Sequence, residues 1–111
     1  MEELLQSLIT ELKRGTLTLS VLSQLHESEY GYSLVQKLEE KSMAIEASTL
    51  YPLLRRLEKQ GLLQSEWDTS ESRPRKFYVI SHAGKMVYTK LKEEWLTQSR
   101  QLEKLLEGDE K

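Results

Sequence analysis

The chain has 111 residues, 38% of them hydrophobic and 31% charged, with a formal net charge of −2. That allows one domain with a modest core, and its polarity suits long helices that are exposed or pair with a second subunit. Cysteine is absent, excluding a disulfide framework, thiolate catalysis and thiolate metal sites, and no apolar run nears the ~18 residues of a membrane span.

Leu5, Leu8, Ile9 and Leu12 recur at i, i+3, i+4 and i+7, the stripe of an amphipathic helix. A second pattern, Thr18, Val21, Leu22 and Leu25, follows Gly15. The spacing admits one helix bent near Gly15 or two short helices meeting there. Glu2, Glu3 and regularly spaced polar residues exclude a signal peptide, so a cytoplasmic protein without membrane association is expected. His26 and Glu27 are expected to close a helix, where a histidine suits the negative end.

Leu34, Val35 and Leu38 mark a helix over about Tyr30 to Lys41, with Gly31 as a cap or a close-packing position. Met43-Ala44-Ile45 is too short for more than an edge strand. The next helix spans roughly Ala47 to Gln60, turning Leu50, Leu53, Leu54 and Leu57 inward. Pro52 belongs in or just after a first turn, where a missing N–H costs least, which argues for a start near Thr49. Gly61 suits a left-handed C-cap. Leu62–Asp68 and Arg75–Ile80 read as paired strands joined by a polar loop, residues 69–74, with Trp67 and Phe77 as core residues beneath the hairpin.

The last helix should begin after Ser81, a good N-cap, and run to about Glu107, leaving 108–111 as a frayed tail. Tyr88, Leu91, Trp95, Gln98, Leu102 and Leu105 are spaced 3, 4, 3, 4, 3, a heptad seam. At 1.5 Å per residue the helix is ~40 Å long and needs a partner, so a homodimer is expected.

The basic residues are concentrated. Residues 47–85 hold seven Lys/Arg and four acids, a balance of +3, which leaves −5 elsewhere. On the 47–60 helix, Ser48, Tyr51, Pro52, Arg55 and Lys59 lie opposite the leucine stripe, with Arg56 on the flank. An Arg fork can take phosphate or guanine, and hydroxyls near a helix N-terminus can donate to phosphate. Arg73, Arg75 and Lys76 in the following hairpin sit where a wing would meet the DNA backbone or minor groove. A charged helix face is also what solvent exposure alone produces, but helix and basic hairpin in succession favour duplex DNA as partner. The expected fold is mainly α with a small β-hairpin. It is a winged helix-turn-helix over residues 1–81, followed by a dimerisation helix over 82–107.

Catalysis has no foothold. His26 and His82 lack partner groups, and no glycine-rich phosphate loop, nucleophile elbow or metal spacing occurs. Neither cofactor nor metal is expected. Trp95 on the seam is a large interface knob, or, with its symmetry mate, a wall for a small planar aromatic effector.

With these residues in view, the chain resembles the PadR-like transcriptional regulators, in the small form with one C-terminal helix. The matching stretches are KRGTLTLSVLSQL (13–25), YGYSL (30–34), TLYPLLRRLEKQGLL (49–63) and PRKFYVISHAG (74–84), and the third is the most specific. The resemblance implies a cytoplasmic repressor dimerised by its last helix with help from the first, which brings in Leu5 and Leu8. It also implies that the helix matching 47–60 reads DNA and that the 68–76 loop forms the wing; a dimer with two such helices about one DNA turn apart would read a palindromic operator. Residue by residue, it points to Ser48, Thr49, Tyr51, Arg55, Arg73 and Lys76. The family's wing is often glycine-rich before its Arg-Lys pair, and Ser70-Glu71-Ser72 stands there instead. A tryptophan at the position of Trp95 is similar to the multidrug-responsive subgroup. A winged helix does not by itself fix function. A protein-interaction module, an adaptor or antirepressor that does not bind DNA tightly, therefore remains the alternative.

Overall fold

The computed structural model describes residues 1–108. Of the expected frayed tail, 108–111, Gly108 caps the last helix with its N–H on Leu106 C=O, and the rest lies outside the described residues. The elements in chain order are α1 (Glu2–Arg14), α2 (Leu17–Ser23), β1 (Glu29–Tyr30), α3 (Gly31–Glu40), α4 (Ala47–Lys59), β2 (Leu63–Asp68), β3 (Arg75–Ile80) and α5 (His82–Glu107). The chain is mainly helical with a small antiparallel sheet, a winged helix-turn-helix carrying a long C-terminal helix.

Gly15 and Thr16 separate α1 from α2, so two helices meet there rather than one bending. The fates of the two differ. Val21 and Leu22 of α2 are fully buried, whereas α1 buries no residue at all. Leucines of α3 and α4, with Leu25, Leu63, Tyr78 and Ile80, complete a single core under the sheet.

Helix α3 ends in a turn in which Met43 N–H donates to Leu38 C=O at 2.8 Å and Ser42 N–H to Glu39 C=O at 3.0 Å. This is a Schellman closure with Ser42 in the left-handed position, φ 64°, where glycine is usual. Met43-Ala44-Ile45 is therefore the exit of a helix cap leading to α4, and not the edge strand expected. The third strand is instead β1, two residues long, and the sheet order is β1-β3-β2. So short a strand carries no alternation to read. It exists because Glu29 and Tyr30 pair with Tyr78 and Phe77 of the hairpin.

Helix α4 starts two residues before Thr49, with Glu46 as N-cap, and places Pro52 in its second turn. Leu50 N–H donates to Glu46 C=O at 2.9 Å, fixing that start. Pro52 leaves only the Ser48 carbonyl without its i+4 donor, and both residues are exposed to water, so the loss is small at this end. At the other end Gly61 has φ +82° and donates to Glu58 C=O, as the left-handed cap requires.

The hairpin pairs Leu63 with Ile80, Ser65 with Tyr78 and Trp67 with Lys76. Ser81 caps α5 by accepting from Gly84 N–H at 2.9 Å, while its own hydroxyl donates to Gly61 C=O at 2.6 Å. His26 lies beyond the end of α2, against expectation. Its ring meets Tyr88 of α5 edge-on at 5.0 Å.

The long helix gives the molecule its shape. Its extents are 62 × 34 × 22 Å and its radius of gyration is 16.6 Å, against ~13 Å for a compact chain of this length.

Candidate nucleic-acid interface

Helix α4 divides as its sequence suggests. Leu50, Leu53, Leu54 and Leu57 are buried, while Ser48, Thr49, Pro52, Arg55, Arg56 and Lys59 are exposed. The burial anchors the helix, so the opposite face is presented on a rigid element. Among the described residues, Arg55, Arg56 and Lys59 enter no ion pair, so this face keeps three uncompensated positive charges. Ser48 donates weakly to Glu46 at 3.4 Å, and Thr49 stands at the first turn.

Tyr51 is placed differently from its neighbours. It is half-buried, with its ring lying on Gly31 at the start of α3. A Cβ at residue 31 would come within 2.4 Å of Tyr51 Cε1 and 2.9 Å of its hydroxyl. Gly31 is thus a close-approach position between the two helices of the helix-turn-helix, and it sets where the phenol emerges on the exposed side of α4.

The wing is ordered by its first residue. Asp68 accepts from Ser70 N–H at 3.0 Å, from the Ser70 hydroxyl at 2.6 Å and from the Tyr30 hydroxyl at 2.5 Å. The Ser70 hydroxyl first, and Tyr30 second, hold the Asp68 carboxyl down to about 2; donors aimed at an anion favour its ionised form. The same bond pushes the Tyr30 phenol up, since losing that proton would set two anions together. An Asx-type turn thus replaces the absent glycines.

The three wing cations are not equivalent. Arg73 is exposed and makes no ion pair among the described residues. Arg75 bonds Glu71 at 2.9 Å and the Tyr32 hydroxyl at 2.9 Å, with its guanidinium carbon 5.8 and 5.6 Å from the centroids of the stacked Tyr30 and Tyr32 rings. Lys76 bonds Glu58 of α4 at 3.1 Å. Glu58 is held below the usual carboxylate range by the Ser65 hydroxyl above all, and also by Lys76. Hairpin and helix are therefore tied together by a carboxylate that the sequence reading did not select. Its signal was an acid lying within an otherwise basic face.

Two expectations for the hairpin fail. Trp67 is 62% exposed rather than core, because its partner is Lys76, two pairs beyond Ser65–Tyr78 and the next on the same face, past the point where the core ends. Phe77 is half-buried on the opposite face, edge-on to Tyr30 at 5.9 Å.

The seam residues fall into two groups. Tyr88 packs against the chain's own core. Leu91, Trp95, Gln98, Leu102 and Leu105 are exposed, as are Leu5 and Leu8 of α1. Trp95 stands between two grooves that Leu12 and Leu19 also line. No described helix is long and apolar enough to cross a membrane.

Comparison with known proteins agrees with this architecture. A PadR family transcriptional regulator from Eggerthella lenta matches with a TM-score of 0.90 and 48% identity, over 95% of this chain and 94% of that one. A transcriptional regulator of Mycobacterium tuberculosis is 35% identical over 80 residues, 71% of this chain and 75% of that protein. PadR of Bacillus subtilis, solved in complex with operator DNA, matches with a TM-score of 0.62 and 21% identity, over 72% of this chain and 46% of that one. That last likeness is one of fold alone. The sequence model of the PadR-like transcriptional regulators matches residues 19–90, and this chain belongs to that family of regulators rather than to any family of enzymes.

Proposed function

We propose that the chain is a cytoplasmic, homodimeric repressor that reads an inverted-repeat operator. Residues 1–81 bind DNA and 82–107 dimerise. The observation that carries this reading is the exposed face of α4, where Arg55, Arg56 and Lys59 stand uncompensated on a helix anchored by four buried leucines. Ser48, Thr49 and Tyr51 line the N-terminal half of that helix, the part that meets base edges and phosphates in helix-turn-helix readers. The operator complex of Bacillus subtilis PadR lends support from a protein of the same fold. Arg73 serves as the wing's free cation. Arg75 and Lys76 reach the backbone only by leaving Glu71 and Glu58.

Dimerisation is supported by what the protomer leaves uncovered. Helix α1 buries nothing, with Leu4, Leu5, Leu8 and Leu12 at 47–73% exposure. Leu12 shares a groove with Leu91, Trp95 and Leu102 of the α5 seam. Apolar surface of this extent marks an interaction site. A dimer through α5 would set two reading helices about one DNA turn apart, ~34 Å, which demands a palindrome. Trp95, near the middle of that seam, is the residue against which a planar aromatic effector would pack.

Internal pairing of Arg75 and Lys76 favours a second reading, a protein-interaction module without tight DNA binding. A mobility-shift titration against the promoter region of the protein's own operon separates the two. Saturable, salt-sensitive retardation by a dimer supports the repressor, and none at micromolar protein supports the module.

A further inference from the structure

Trp67 has the largest exposure of any aromatic residue among the exposed large side chains, 62% against 47% for Tyr32 and 46% for Trp95. Single exposed apolar residues are ordinary, but this one is held in place. The hairpin register sets it beside Lys76, on the face that leads to Ser65, Tyr78 and the core. Lys76 Nζ lies 5.9 Å from its ring centroid and 5.4 Å from that of Tyr78, and is bonded to Glu58 on α4. Glu58 in turn receives the Ser65 hydroxyl. The indole therefore sits on an ordered ledge between the wing loop and the helix bearing Arg55, Arg56 and Lys59.

We infer that Trp67 is a DNA-backbone contact. Its ring packs on a deoxyribose, and its N–H, a donor only, is given to a phosphate oxygen. Lys76, compensated by Glu58, is the positioning residue for that ring. The occupant is committed by charge: a strand bridging the uncompensated cations of α4 and Arg73 on the wing passes over the ledge between them. The inference rests on the DNA-binding reading above. It adds a neutral contact that tracks the backbone and carries no base preference.

The test uses the full-length protein, a labelled random-sequence duplex of ~30 bp and a salt series starting near 50 mM. Trp67→Ala should weaken binding about tenfold, the scale of one hydrogen bond to a charged group. It should leave the slope of log K against log salt unchanged, because indole releases no counterion. Arg73→Ala is the contrast, reducing that slope by about 0.9. In parallel, the protein is labelled with 5-fluorotryptophan and its two 19F resonances are assigned by Trp67→Phe. The Trp67 resonance should move with the same DNA midpoint as binding.

Unchanged affinity in Trp67→Ala with a stationary resonance overturns the inference while leaving the DNA-binding reading intact. A slope reduced by about one unit in Trp67→Ala also overturns it, since the effect would then run through Lys76 and not through the ring. If wild type binds no duplex at any salt, both the reading and the inference fall.

Discussion

Replacing Gly31 by Ala should damage this protein through one neighbour only, the Tyr51 ring. The new Cβ would lie 2.4 Å from Tyr51 Cε1, more than 1 Å inside ordinary carbon–carbon contact. The ring is the far end of a side chain and can swing aside, so the overpacking cost belongs in the range ~1–3 kcal/mol. Alanine in place of glycine within a helix returns up to ~1 kcal/mol. The net destabilisation is therefore ~0–3 kcal/mol. With Tyr51→Ala in the background the clash vanishes and only the helix term remains, so Gly31→Ala should become stabilising by up to ~1 kcal/mol. The sign reversal is the prediction. Urea denaturation of the four proteins, at one fixed protomer concentration because a dimer of the kind proposed would add to stability, gives the coupling energy directly. If Gly31→Ala costs the same whether or not Tyr51 is present, the close approach of α3 and α4 at this point is not what Gly31 serves.

Other consequences can be checked on the same preparations. Ser42→Gly should stabilise by ~0.5–1 kcal/mol in urea, since glycine enters the left-handed cap at φ 64° without strain. Asp68 has a carboxyl ordinarily near 3.8 that is held at about 2, so its stabilisation is complete above the unfolded value and fades as pH falls between those two points. The difference in Tm between wild type and Asp68→Asn should accordingly be constant at neutral pH and shrink below pH ~4; a gap independent of pH down to 2 would mean that the Tyr30–Asp68–Ser70 link does not stabilise the fold. Leu102→Asp should leave the fold intact, because Leu102 is exposed in the protomer. It should raise the dimer dissociation constant by at least ~100-fold, as burying an unpaired carboxylate costs several kcal/mol, measured by sedimentation.

Helices with long apolar stripes were legible in the sequence because apolar residues repeat at their period, whether the stripe is buried, as in α4, or left exposed, as in α1. The α4 leucines, the hairpin from Leu63 to Ile80 and the Ser81 cap each fall within a residue or two of expectation. What was not legible depends on contacts distant in sequence. Strand β1 is two residues long and defined by Tyr78 and Phe77 across the sheet. A tryptophan in a strand is usually core, and only the register shows Trp67 two pairs past Ser65–Tyr78, where the core ends. At the candidate site, Arg55, Arg56 and Lys59 could be selected by facing alone. The ties of Lys76 to Glu58 and of Arg75 to Glu71 and Tyr32 could not, because they join residues on different elements or across a turn whose shape Asp68 sets.

Arg55 is the residue on which reading by α4 depends most directly. Wild type and Arg55→Ala should be titrated by fluorescence anisotropy against the tightest-binding duplex selected by wild type from the promoter region of its own gene, which the proposed function expects to be an inverted repeat, with a scrambled duplex of equal length as the reference. A forked base contact contributes ~1–3 kcal/mol of discrimination, so losing it should weaken operator binding ~5- to 150-fold while changing affinity for the scrambled duplex far less. Equal operator affinity in the two proteins would contradict the assignment of α4 as the reading helix.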